Sequence, residues 1–296
     1  MKLRSWAFLL VLILALTTVI FAQQPPKVRS EMLVSTDWLA QHTNDPGVII
    51  LHVTRYHTDY ERGHIPGAHF LPSYRMVSDN QELPVELPSV GQLKAVLQQA
   101  GVGNKGRIVL YAPGQPTAAT RAYFTLDYLG LGDRVALLDG GLEKWKSEKR
   151  TLSTETPKFS PGTLTVHPRP EIVAHYDQVR RIADGVDTSA IIVDARPPQR
   201  YKEGHLPGAV PLFWVDTIDS RDMPSWKPSD KIRAKYEAAG LKPGSKIITY
   251  CEVGNQASHG YFTAKYLGYD VALYDGSYDE WTNSKDAPVV KGESRR

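Results

Sequence analysis

One cysteine, Cys251, stands among 296 residues, so no intramolecular disulfide can form. Excess charge is also missing. Thirty-five lysines and arginines face 32 aspartates and glutamates, and a formal net charge of +3 gives no electrostatic case for a nucleic-acid partner. A long apolar run occurs at the very start, from Trp6 to Phe21, behind Lys2 and Arg4 and ahead of Ala22, Gln23, Gln24, Pro25 and Pro26. A charged segment, an apolar segment and a small residue in that order predict a signal peptide over residues 1–22. A retained anchor is the competing reading, but no positive stop-transfer cluster follows. The expected protein is therefore exported, periplasmic or secreted, with no membrane attachment after cleavage. In such a compartment an unpaired thiol is exposed to oxidation, and its retention asks for a chemical reason.

The chain repeats itself. Arg55 to Ala68, containing Gly63-His-Ile-Pro-Gly-Ala68, is answered by Arg196 to Ala209, containing Gly204-His-Leu-Pro-Gly-Ala209. Amphipathic stretches follow at Gly91 to Gly101 and Lys231 to Gly240, each running into an apolar strand, Arg107 to Tyr111 and Lys246 to Tyr250. A third block, Tyr123-Phe-Thr-Leu-Asp-Tyr-Leu-Gly130 with Leu138-Asp-Gly-Gly141 and Trp145, returns as Tyr261-Phe-Thr-Ala-Lys-Tyr-Leu-Gly268 with Tyr274-Asp-Gly-Ser277 and Trp281. Blocks recurring in one order with nearly constant spacing mark a duplication. Ser, Thr and Pro dominate the stretch between the copies. The expected organisation is a first domain over 30–150, a linker over 151–167 and a second domain over 168–288.

Within each copy short apolar strands (Val48 to Val53, Ile108 to Tyr111, Ile191 to Val193, Ile247 to Tyr250) alternate with helical patterns. Alternation of this kind predicts an α/β fold, each domain a mostly parallel sheet flanked by helices. Ala257, Tyr261, Ala264 and Leu267 have near-helical spacing and Gly268 supplies a C-terminal cap. Cys251 therefore falls between a buried strand and a helix, the edge at which open α/β sheets bind ligands.

The second copy reads Cys251-Glu252-Val253-Gly254-Asn255-Gln256-Ala257-Ser258 at this edge. A loop of that length opening a helix turns backbone N–H groups inward, and with the helix dipole they favour an anion. The same field is expected to lower the thiol pKa and to supply a reactive thiolate. The bland alternative is a cysteine packed as a small hydrophobe; its position after the strand argues against that. The first copy has Ala112 in the thiol's place, two prolines that remove donors, and one residue more in the loop.

These motifs together, Asp194-Ala-Arg196, Gly204 to Ala209, Cys-x-x-Gly-x-x-Ala-Ser and Tyr274-Asp-Gly-Ser-Tyr-Asp-Glu-Trp281, resemble the tandem-domain rhodaneses, the thiosulfate and 3-mercaptopyruvate sulfurtransferases. The resemblance covers nearly all of the chain past the leader. It implies an inactive first domain, a catalytic second one, and a site in the cleft near their interface. It further implies that Cys251 takes the sulfane sulfur of a small anionic donor as a persulfide and passes it to a thiol or cyanide acceptor, a ping-pong cycle. The amides from Val253 to Ser258 would hold the terminal sulfur's charge, and neither a metal nor another cofactor is called for. Arg196 matches the family's Asp-x-Arg arginine and would either grip the donor or anchor the strand end on Asp194; Arg200 matches a second family arginine.

Other residues have plainer expectations. His64 and His205 recur in both copies, which favours a structural turn role, with a proton shuttle from His64 across the cleft as the lesser alternative. Trp145 and Trp281 read as core, and His259 as solvent-facing.

Two departures bear on the donor. Thiosulfate-preferring relatives carry basic residues after the cysteine and mercaptopyruvate-preferring ones Gly-Ser, whereas this chain has Glu252 and Val253. Without the loop serine, thiosulfate is the favoured donor, with 3-mercaptopyruvate as the alternative. A phosphatase-like chemistry would need an arginine six positions after the thiol, where Ala257 stands. A persulfide carrier without turnover, or a simple binding module, is the rival of another class.

Overall fold

The computed structural model describes residues 26–78 and 86–295; the expected signal peptide lies outside the described residues. Among those described, no helix is long and apolar enough to cross a membrane. Apolar runs closed by glycine or polar turns form the elements of the first copy in the order β1 (Leu33–Val34), α1 (Thr36–His42), β2 (Val48–Thr54), α2 (His57–Glu61), β3 (His69–Pro72), α3 (Val90–Gln99), β4 (Arg107–Tyr111), α4 (Thr117–Tyr128), β5 (Val135–Leu138) and α5 (Gly141–Ser147). The second copy repeats the series as β6 (Val173–Ala174), α6 (Tyr176–Ala183), β7 (Ile191–Asp194), α7 (Pro198–Glu203), β8 (Val210–Pro211), α8 (Ser229–Ala238), β9 (Lys246–Tyr250), α9 (Asn255–Tyr266), β10 (Asp270–Tyr274) and α10 (Ser277–Asn283).

Each copy folds into a five-stranded sheet, ordered β1-β5-β4-β2-β3 and β6-β10-β9-β7-β8, and every pairing is parallel. Helices cover both faces, so the central strands are apolar throughout rather than alternating; Ile108 to Leu110 and Ile247 to Ile248 are buried. Trp145 and Trp281 are core residues, as their recurrence suggested. Full burial of such a side chain contributes about 2–3 kcal/mol.

The copies meet through α4 and α9, and equivalent positions of the repeat touch across that contact. Thr120 Oγ1 lies 3.0 Å from Ser258 Oγ. Tyr123 packs edge-on against Phe262, and Phe124 against Tyr261, at 4.8 and 5.0 Å between ring centres. Buried Asp127 pairs with Lys265, its own counterpart, and also accepts from Tyr261 Oη at 2.6 Å and Arg169 Nη1 at 2.7 Å. A patch meeting its own copy is the geometry of a two-fold interface, here enclosed in one chain.

The Ser/Thr/Pro-rich stretch after α5 is docked rather than free. Ser153 exchanges backbone hydrogen bonds with His64 at 2.8 and 2.9 Å, Phe159 stacks on His69 and Leu164 is buried. That contact decides the histidine question. The His64 ring stacks on Tyr60 and sits within hydrogen-bond distance of the Tyr60 and Glu155 carbonyls, so it is covered by this stretch and does not face the cleft. His205 repeats the arrangement on Tyr201, with the Tyr201 and Ser294 carbonyls.

His259 corrects the sequence expectation. It is fully buried, stacked on Trp226 at 5.0 Å, with Nε2 at 2.8 Å from Thr217 Oγ1. The segment from Trp214 to Trp226 covers this turn of α9, which local spacing does not reveal.

Candidate active site

Cys251 is the first residue past β9, where the strand can no longer use its carbonyl and amide in the sheet. Those groups are taken up by the turn after β10. Cys251 N–H donates to Ser277 Oγ at 3.2 Å, Tyr278 N–H to the Cys251 carbonyl and Asp279 N–H to that of Glu252, both at 3.0 Å. Ser277 sits at φ +54°, a left-handed conformation unusual for a residue with a Cβ. The equivalent position in the first copy is Gly141, at φ +57°. Strain held at Ser277 is therefore associated with the hydroxyl that fixes the cysteine backbone.

The loop then reverses at Gly254, whose φ of +88° favours glycine. This turn aims the start of α9 at the sulfur. Gly254 N–H donates to Cys251 Sγ at 3.2 Å, and the backbone amides of Ala257, Val253 and Gln256 act on the thiol in the direction that favours its anion. One expected member faces elsewhere: Ser258 N–H is spent on the Gly254 carbonyl as α9 begins, and its hydroxyl turns to the Asn255 carbonyl and to Thr120. Asn255 is exposed and lines a cavity of about 310 Å³ with Arg55, Tyr74, Thr117 and Arg121 of the first copy.

The expected depression of the thiol pKa is not met. Cys251 is only 1% exposed, and burial pushes the thiol above its ordinary value, with the amides of Ala257, Val253, Gly254 and Gln256 pulling the other way. The cradle limits the penalty without reversing it.

Arg196 takes the anchoring role of the two left open by the sequence. Its Nε lies 3.0 and 3.1 Å from the Asp194 carboxylate, its Nη2 lies 2.8 Å from the same group and 2.6 Å from the Gly204 carbonyl, and the guanidinium covers the Tyr278 ring at 4.0 Å. Tyr250 Oη completes the Asp194 network at 2.5 Å. One nitrogen remains for the site: Arg196 Nη1 is 3.4 Å from Glu252, whose other oxygen is 3.1 Å from Arg200 on α7. Glu252 thus occupies two cations at the loop's outer edge, where Val253 and Gln256 are also half-exposed.

The equivalent loop of the first copy is filled differently. Ala112 is buried in the thiol's place, and the Gly114 amide donates to Glu143 at 2.7 Å, so a carboxylate of the same domain occupies that loop. Sequence reasoning missed Ser277, although the change from Gly141 to Ser277 between otherwise matching blocks was the available signal. It also missed Arg121, which pairs from the first copy with Asp275 behind the loop.

Comparison with known proteins places the chain in a family. A family model described as "Rhodanese-like domain" matches residues 35–148 and 176–284. A sulfur carrier protein of Thermus thermophilus is 34% identical over 89% of this chain and 98% of its own length. A 3-mercaptopyruvate sulfurtransferase of Escherichia coli is 27% identical over 86% of this chain and 96% of its own. The crystal structure of SseA from Escherichia coli, a 3-mercaptopyruvate sulfurtransferase, superposes with a TM-score of 0.76 at 26% identity, covering 83% of this chain and 98% of that one.

Proposed function

Since the chain belongs to the rhodanese-like family in both of its halves, we propose that this sulfurtransferase carries sulfur as a persulfide on Cys251, with thiosulfate as the donor. The observation that carries the reading is the position of the one thiol, at the end of β9 and bonded by the Gly254 amide where α9 begins. After Cys251 loses its proton to solvent, the thiolate attacks the outer sulfur of thiosulfate, a new S–S bond forms, and the old one breaks with its electron pair leaving on sulfite. The amides then face the negative charge on the terminal sulfur. A thiolate acceptor, or cyanide, attacks that sulfur and leaves as a persulfide or thiocyanate, returning the Cys251 thiolate.

Thiosulfate is favoured over 3-mercaptopyruvate because no serine follows the thiol and the Ser258 hydroxyl is engaged by Asn255 and Thr120. A carrier without rapid turnover is the second reading, favoured by the buried, proton-retaining thiol and by the name of the Thermus thermophilus relative.

Sulfite release from thiosulfate with cyanide as acceptor separates these readings. Steady turnover that is abolished in Cys251→Ser supports the enzyme, and a single burst supports the carrier. Activity surviving Cys251→Ser overturns both. We further propose export by the leader, which intact mass measurement of protein from the native host checks.

A further inference from the structure

The two-fold contact between the copies is broken at one pair of positions. Arg121 in α4 and His259 in α9 are equivalents, as are Asp275 after β10 and Asp139 after β5. In both directions a backbone amide from one copy binds the aspartate of the other, Leu87 N–H to Asp275 at 2.9 Å and Trp226 N–H to Asp139 at 2.8 Å. The third member differs. Arg121 crosses the contact to grip Asp275 with both terminal nitrogens, Nη2 to Oδ2 at 3.1 Å, and the pair is almost fully buried. Buried His259 stays with Thr217 and Trp226 instead.

The arginine lies against the loop that bears the thiol. A Cβ on Gly254 would stand 3.1 Å from Arg121 Nη1 and 3.0 Å from the Asp275 carbonyl and carboxylate. Gly254 N–H is the group bonded to Cys251 Sγ. One residue therefore separates the sulfur from a buried ion pair supplied half by each copy. Glu86 and Glu280 line a small cavity with Asp275, and Arg55 lines another with Arg121 and Asn255; on the loop's other side stand Glu252, Arg196 and Arg200.

We propose that Arg121, contributed by the copy that has lost its thiol, is a positioning residue of the live site: it neutralises Asp275 behind Gly254 so that the amide cradle acts on Cys251 unopposed by a buried carboxylate. The inference rests on Cys251 being the reactive thiol, and it explains why the inactive domain matters to the active one. Without the guanidinium, Asp275 and Glu86 would put negative charge against the loop and disfavour the thiolate.

The test is the pH dependence of Cys251 alkylation by iodoacetamide in the full chain, which needs no sulfur donor and so stands or falls apart from the donor assignment. Arg121→Gln should raise the midpoint by about one pH unit, with an alkylation rate about tenfold lower at neutral pH. Asp275→Asn should lower the midpoint. The double variant, with both charges removed, should return close to wild type, and Arg121→Lys should stay near it. Should Arg121→Gln not fold, the comparison of Asp275→Asn with the double variant reads the same charge. Single variants that move the midpoint in one direction, or a double variant that fails to restore it, would show that Arg121 merely packs and would overturn the proposal.

Discussion

Gly254 donates its backbone N–H to the Cys251 sulfur over 3.2 Å while its own Cα faces Asp275 and Arg121. A Cβ at this position would crowd that pair, and the φ of +88° favours glycine. Gly254→Ala should displace the loop, costing about 1–2 kcal/mol in stability and at least an order of magnitude in sulfite release. Thermal melting and steady-state kinetics check it; an alanine variant with wild-type kcat would show that this amide is dispensable.

Glu252 binds Arg196 and Arg200, the two arginines expected to meet an anionic donor. Glu252→Gln leaves the loop its shape and frees Arg196 Nη1 and Arg200. The expected result is a KM for thiosulfate lowered about three- to tenfold with kcat little changed, since a freed charge-assisted contact contributes on the order of 1 kcal/mol at a half-exposed position. An unchanged KM would mean that donor binding does not reach the arginines.

Ser277 separates strain from hydrogen bonding. Ser277→Gly relieves the positive φ and removes the acceptor for Cys251 N–H, so stability should hold within about 1 kcal/mol while activity falls about tenfold. Ser277→Ala keeps the strain and loses the bond, and should melt lower than the glycine variant. Equal melting temperatures for the two would deny that the backbone is strained there.

Two buried histidines predict acid sensitivity. Burial lowers His259 to about 3 and His52 to about 4 from an ordinary 6.5. The unfolded chain therefore takes up protons first as pH falls, and stability present above pH 6.5 is lost through the range down to these lowered values. Each group contributes on the order of 3 kcal/mol of loss by pH 4. Urea unfolding at pH 7 and pH 4.5 should show the drop, and His259→Gln should lessen it; an equal drop in that variant would remove His259 from the account.

The repeat, the α/β alternation, the strand-edge position of Cys251 and the first copy's loss of its thiol all follow from the sequence, because each depends on neighbours within one strand, loop or helix. Apolar runs closed by turn residues settle local structure wherever one face is plainly buried. What tertiary structure alone decided is which distant groups share a boundary: His259 beneath Trp226, Glu252 between two arginines, Arg121 on Asp275 across 154 positions. The sign of the thiol's pKa shift belongs here as well, since a loop's amides can be read from its position while the depth of its burial depends on what packs above it. Periodicity reports that a helix face is covered and is silent on the partner. In this chain the partner is the other copy, and the charges that differ between the copies lie where the two meet.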